Sequence, residues 1–196
     1  MSLSEMIAGS AIAAVISNPR LPDNPIVECN DAFIALTGYT RDEIIGRNCR
    51  FMSGPGTEAA LTEMIRQGIR EQRPVLVDIL NYKKDGTAFR NAVMVAPVFG
   101  IDGQLEYFLG SQMEVDGGKT DAGTIRQHNA RYLIDGLSPR QKQVLMGMAA
   151  GKLNKQIAYE LGLTERTIKM HRAAMLRALN IRSGAEAIRL AIEAGY

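Results

Sequence analysis

At 196 residues, 46% of them hydrophobic and 22% charged, the chain has the make-up of a globular protein of one domain or two small ones. No apolar run approaches the roughly 18 residues that a membrane span needs, and the apolar start carries Glu5 and no basic leader, against a signal peptide. Two cysteines are too few for a disulfide scaffold and fit a reducing cytoplasm, while the charge divides into a net −4 over residues 1–136 (13 Lys+Arg against 17 Asp+Glu) and +6 over residues 137–196 (10 against 4), so only the second half is suited to nucleic acid.

Taken in chain order, Ala11 to Ser17 is an apolar strand, closed by Asn18-Pro19 and by Pro22-Asp23-Asn24-Pro25. Ile26 to Cys29 is its expected hairpin partner. Asp31 to Thr37 and Arg41 to Ile45 read as short helices, stopped by Gly38 and Gly46. Then comes Gly46-Arg47-Asn48-Cys49-Arg50-Phe51-Met52-Ser53-Gly54-Pro55, which sets one cysteine between an amide and an arginine on a short helical turn. An arginine can fork onto a phosphate while the sulfur stays free to react, so the stretch suits an anionic, aromatic cofactor. Thr57 to Glu71 is a longer amphipathic helix with Leu61, Met64, Ile65 and Ile69 on one face. Three strands follow, Val75 to Tyr82, Ala88 to Val98 and Leu105 to Gln112, turned at Lys84-Asp85-Gly86-Thr87 and at Gly100 to Gly103. The layout predicts an α+β unit, a five-stranded antiparallel sheet with helices on one face.

Asp116-Gly117-Gly118-Lys119 breaks the pattern and marks a boundary. Asp121 to Ile134 is expected to be a connecting helix with a thin stripe of Ile125, Tyr132 and Leu133. From Ser138 the punctuation predicts four helices. Ser138-Pro139-Arg140-Gln141 opens the first, which ends at Gly151. Asn154 starts the second, Thr164 caps a third to about Leu179, and Ser183 with Glu186 opens a fourth to about Ala194. The tight Gly162-Leu163-Thr164 link makes a helix-turn-helix.

The cysteine motif and its surroundings, from Val15 to Gln112, closely resemble LOV domains, the flavin-binding, blue-light-sensing branch of the PAS family. The resemblance implies a PAS/LOV domain over residues 8–115. Cys49 matches the thiol that adds to flavin C4a, and Asn48 the motif amide. Arg50 and Arg66 match the phosphate arginines, Asn81 and Asn91 the pair on the polar ring edge, and Gln112 the glutamine beside N5 that relays the signal. Val15, Ser17 and Asn24 match positions lining the far side of the ring. The implied cofactor is FMN, with FAD and riboflavin left open. Ser53 stands where LOV domains usually carry glutamine, which puts one contact to the ribityl-phosphate tail in doubt. Cys29 reads as an inert small hydrophobe.

Beyond a linker over residues 116–136, residues 137–196 resemble the LuxR-type helix-turn-helix of bacterial regulators. Leu137-Ser138-Pro139-Arg140, Gly151, Asn154-Lys155-Gln156-Ile157-Ala158, Leu161-Gly162-Leu163-Thr164, Thr167-Ile168-Lys169 and His171-Arg172 carry that resemblance. The third helix is the expected recognition helix, with Ile168, Met175 and Leu179 turned inward. Arg166, Lys169, Met170 and Ala173 project toward bases or backbone of double-stranded DNA. Asn154, Lys155, Thr167 and His171 suit phosphates, although His171 equally suits helix packing. No pair of His, Cys or carboxylates has metal-site spacing.

Together the two resemblances imply a blue-light-regulated transcription factor, not an enzyme and not membrane-bound. It is expected to be a monomer in the dark and, in light, a homodimer through its last helix, whose face carries Ala187, Ile188, Ala191 and Ile192. In the dark that face is expected to lie on the LOV sheet. Two alternatives stay open: a light-independent redox or ligand sensor, and a flavoenzyme, for which the sequence offers no dinucleotide fingerprint and no catalytic dyad.

Overall fold

A computed structural model describes residues 3–116 and 121–196, so most of the expected boundary, Gly117 to Lys119, lies outside the described residues. A short helix, α1 (Leu3–Ile7), precedes five strands: β1 (Ala13–Ser17), β2 (Ile26–Cys29), β3 (Val75–Tyr82), β4 (Ala88–Phe99) and β5 (Leu105–Glu114). They form one antiparallel sheet in the order β2-β1-β5-β4-β3. The last strand therefore lies at the centre, with Val15 opposite Gly110 and Val93 opposite Gln112.

Between β2 and β3 the chain packs α2 (Asp31–Thr37), α3 (Arg41–Ile44), a 3-10 turn (Cys49–Met52) and α4 (Ala59–Arg70) onto one face of the sheet. Asn30 anchors this layer. Its side-chain oxygen caps α2 by accepting from Phe33 N and also accepts from Ala14 N at 2.9 Å, tying helix to strand. Phe33, Ile26 and Ile44, all fully buried, then fill the space against Val15.

The C-terminal half is helical: α5 (Asp121–Asp135), α6 (Pro139–Ala149), α7 (Asn154–Leu161), α8 (Glu165–Ala178) and α9 (Gly184–Glu193). The predicted caps are the observed ones. Ser138 accepts from Gln141 N, Thr164 from Thr167 N and Ser183 from Glu186 N, and α7 stops at Gly162 with φ 65.

This half is seated on the other face of the sheet. Ile16, Met94, Ala96, Val98 and Leu109 share one apolar cluster with Met148, Ala187, Ile188 and Ala191. Backbone contacts reinforce the seat: Phe99 N donates to Gly151 O at 2.9 Å, and Gln156 Nε2 to Gly100 O at 2.7 Å. Gly151 permits the approach, because a Cβ there would stand 2.4 Å from Pro97 O.

One element is added and two expectations change. The apolar start folds as α1, with Met6 and Ile7 buried between sheet and helical half, because tertiary burial stabilises a five-residue helix that local pattern alone cannot. Met64 is 49% exposed, so the inner face of α4 runs through Leu61, Ile65 and Ile69 only. On α5 the buried residues are Ala130 and Ile134, while Ile125, Tyr132 and Leu133 face outward.

Candidate functional site

Strand alternation builds the first site. Residues two apart on a strand face the same way, so Ile79 and Asn81, Val93 and Val95, and Phe108, Gly110 and Gln112 all line one cavity of about 200 Å³ under the helices. Val15 and Ser17 enter from β1, and Thr62, Ile65, Arg66 and Ile69 from α4. The 3-10 turn contributes Cys49, Arg50 and Met52, flanked by Asn48 and Ser53, and Asn24 closes the rim. Nine of the ten residues matched to flavin contacts thus meet at one cavity.

Asn91 is the tenth. It is fully buried behind Asn81, donating from Nδ2 to Asn81 Oδ1 at 2.9 Å, and reaches the cavity through that amide. The residues missed earlier, Ile79, Val93, Val95, Phe108 and Gly110, share the strand period of two, a signal present in the sequence. Gly110 leaves the floor open, because a Cβ there would meet Val15 Cγ2 at 2.9 Å.

The polar groups have distinct states. Asn48 builds the turn, since its oxygen accepts from Arg50 N at 3.1 Å and its Nδ2 donates to Asp23 O at 2.6 Å. Arg50 forks onto Asp23 with two 2.6 Å bonds at the solvent edge. Arg66 lies 3.5 Å from Glu63. Both ion pairs are exposed and worth little, so either arginine can exchange its carboxylate for a phosphate. Asn24 Oδ1, Asn91 Oδ1 and Gln112 Oε1 are buried with no hydrogen-bond partner. Buried amide oxygens left unmatched cost free energy, and a flat heterocycle with a ring N–H and ribityl-type hydroxyls offers donors of the kind they lack. The residues present fit a flavin.

Cys49 faces this cavity and not bulk water. Burial pushes its thiol from an ordinary 9.0 up to about 12, against a smaller downward pull from its hydrogen bond with Gln112. The group is a thiol at neutral pH. Its raised pKa means that, between those two values, the unfolded chain gives up a proton that the folded chain keeps, so stability falls as pH rises through that window. The parent is expected to lose more stability than Cys49→Ala between about pH 8 and about pH 10.5, as read by urea denaturation. Equal losses would show that the thiol ionises freely in the fold.

The second site is on the helical half. On α8, Ile168 and Met175 are fully buried, and Arg166, Lys169, Met170 and Ala173 are exposed. Thr167 and His171 are half-buried at the flank, and Thr167 is held by Thr164 through its backbone N–H and hydroxyl. Asn154 and Lys155 begin α7 and line a cleft of about 150 Å³ with Val98 of the sheet and with Glu165 and Arg172 of α8.

Comparison with known proteins places both halves. Residues 13–115 match the PAS domain family, and residues 135–191 match the bacterial regulatory proteins of the luxR family. The chain belongs to the PAS domain family. Its architecture is LOV–helix-turn-helix. Blue-light-activated histidine kinase 1 of Erythrobacter litoralis is 51% identical over 104 residues, 53% of this chain and 29% of that protein. A blue-light-activated histidine kinase of Brucella canis is 50% identical over 101 residues, 52% of this chain and 21% of that protein. The chain therefore spans less than a third of these curated relatives. The LOV domain of the Erythrobacter litoralis EL346 blue-light-activated histidine kinase matches with TM-score 0.51 and 34% identity, over 53% of this chain and 95% of that one. The light-state Aureochrome1 LOV structure matches with TM-score 0.54 and 37% identity, over 60% and 91%. Among the described residues no helix is long and apolar enough to cross a membrane.

Proposed function

We propose that this LOV–helix-turn-helix protein is a blue-light-regulated, cytoplasmic transcription factor, non-enzymatic, that binds double-stranded DNA as a homodimer. The proposed units are a sensor over residues 8–115, a linker over 116–136 and a DNA-binding domain over 137–196. FMN is the proposed cofactor, with Arg50 and Arg66 on its phosphate, Asn81 and Asn91 on its polar edge, and Val15, Ser17 and Asn24 along the ring. A bound flavin would supply blue-light absorption and an electrophilic excited state. The chain supplies the rest. Cys49 would deliver both the sulfur and its thiol proton to the ring, so that nothing is lost to water, and Gln112, whose amide can present either its oxygen or its nitrogen, would reorient beside it.

One observation supports the link to output. Gln112 lies on β5, and the opposite face of the same strand carries the residues on which α9 is seated. LuxR-type domains pair through the helix corresponding to α9, so the seated helix is sequestered and the proposed dark state is a monomer. Bond formation at Cys49 would weaken the seat, free α9 for dimerisation and let the α8 row meet the major groove. A shift of a few kcal/mol suffices.

Gln112→Leu tests the relay. The variant is expected to bleach under blue light like the parent yet to lose at least about tenfold of the light-induced gain in DNA affinity, as measured by titration with selected operator DNA. Full light-induced binding in a bleaching Gln112→Leu protein would remove the glutamine from the path.

A further inference from the structure

Arg189 is the one charged residue of the described chain that is about 1% exposed. It sits in the middle of α9, on the face turned toward the sheet. Its Nη1 donates to Ala92 O at 2.9 Å, to Ser111 Oγ at 3.1 Å and, more weakly, to Ser111 O at 3.4 Å. Its Nε donates to Glu193 at 2.7 Å, one turn along the same helix. Nη2 is buried with no partner at all.

Those acceptors have particular neighbours. Ala92 follows Asn91 on β4, and Ser111 precedes Gln112 on β5. Alternation along a strand turns Ser111 to the back of the sheet when Gln112 faces the cavity. One guanidinium thus holds the reverse side of the two strands that carry Asn91 and Gln112.

The energetics of this contact run in two directions. The apolar part of α9, Ala187, Ile188 and Ala191, favours the seat. Arg189 opposes it, because seating strips water from a cation, and the Glu193 pair lies within the helix and so survives release. The sheet acceptors offset part of that loss and leave Nη2 unmatched, while the nearby Asp78 carboxylate and Arg126 guanidinium act in opposite directions. Desolvation accordingly pulls the guanidinium pKa down, and Glu193 only partly restores it. Buried ions of this kind are often no more stable than an apolar residue of similar size, while removing one partner costs several kcal/mol.

We infer that Arg189 is a positioning residue that keeps the seat of α9 close to balance, so that small displacements of β4 and β5 decide whether the helix stays or leaves. This rests on the proposed release of α9 for its use in signalling, but the balance itself exists in the dark. A wholly apolar interface would bind more firmly and respond less. With Arg189, moving Ser111 withdraws acceptors from a cation that water is ready to solvate.

The test uses the full-length holoprotein and reads hydrogen exchange across α9 in the dark, then under blue light. Arg189→Met, made together with Glu193→Gln so that no carboxylate is left unpaired and written below as Arg189→Met, keeps the side-chain length without the charge and is expected to slow dark exchange of α9 about tenfold. Ser111→Ala removes an acceptor but leaves the cation buried, and is expected to speed it by a similar factor. The opposite signs are the signature, because two merely structural contacts would both loosen α9. Flavin absorption and bleaching should match the parent in both variants, and the light-to-dark ratio of exchange should fall in Arg189→Met. Faster dark exchange in Arg189→Met, or a light-to-dark ratio equal to the parent's, would overturn the inference. Should Arg189→Met fail to fold, Arg189→Leu takes its place under the same two criteria. A parent whose α9 exchange ignores light would instead refute the release reading, and the dark comparison would still decide the role of Arg189.

Discussion

Cys49→Ala is expected to keep the dark flavin spectrum and to lose both photobleaching and light-dependent DNA binding, bringing the light-to-dark ratio of affinity to about one. The substitution removes a single sulfur from a turn that other groups hold. Asn48 caps it, and Met52, 3% exposed, anchors it in the core, so the cavity keeps its shape and its flavin. What disappears is the only thiol among the described residues that line the cavity. Cys29 cannot substitute, because it is 1% exposed within the cluster around Phe33 and its thiol is also held in the protonated form by burial. Absorption spectra before and after a blue flash check the first half of the prediction, and DNA titration in light and dark checks the second. Reversible bleaching in Cys49→Ala would place the photochemistry on another group.

Leu109→Lys is expected to do the reverse, raising dark DNA affinity to within about twofold of that of the illuminated parent. Leu109 is fully buried, between Phe108 and Gly110, but it faces the helical half and not the cavity. An ammonium there either stays buried without a counter-ion or drives the helices off. Burying it costs several kcal/mol, more than the few that hold a switch of this kind, so release wins. Flavin occupancy and bleaching should be unchanged, because Phe108, Gly110 and Gln112 keep their orientation. Solution scattering should report a more extended particle in the dark. A compact Leu109→Lys protein with the parent's weak dark binding would separate the docked arrangement from the control of DNA binding.

Much of this organisation was legible because local rules and tertiary context agree. The caps at Ser138, Thr164 and Ser183 are local hydrogen bonds, and each starts a helix where the sequence puts it. The cavity was legible through a motif, Asn48-Cys49-Arg50, and through alternation, which sets Asn81 and Gln112 on one face with Ile79 and Gly110. Other features depend on partners distant in sequence. A five-residue α1 has no helical signal of its own and exists because Met6 and Ile7 find the sheet. On α5 the bulky Ile125, Tyr132 and Leu133 suggested the inner face, yet the face that packs is set by the i, i+4 pair Ala130 and Ile134. Arg189 reads as a solvated charge in any linear pattern. Only the sheet acceptors, 78 and 97 residues away, give it another meaning.

The two faces of one sheet have a further consequence. Ile16, Met94, Ala96, Val98 and Leu109 are covered by α9 and its neighbours, so on the release reading every photon bares two oily surfaces at once, one on the strands and one on the helix. Neither tolerates water for long. Falling back is a private event whose pace ignores the surroundings, whereas meeting a second illuminated copy depends on how crowded the compartment is. In a cell with few copies, most excited molecules would close again alone; in one with many, pairs would form first. Such a receptor measures a product, brightness multiplied by its own abundance, and a gene that raised its copy number would sharpen the response to the same dim light.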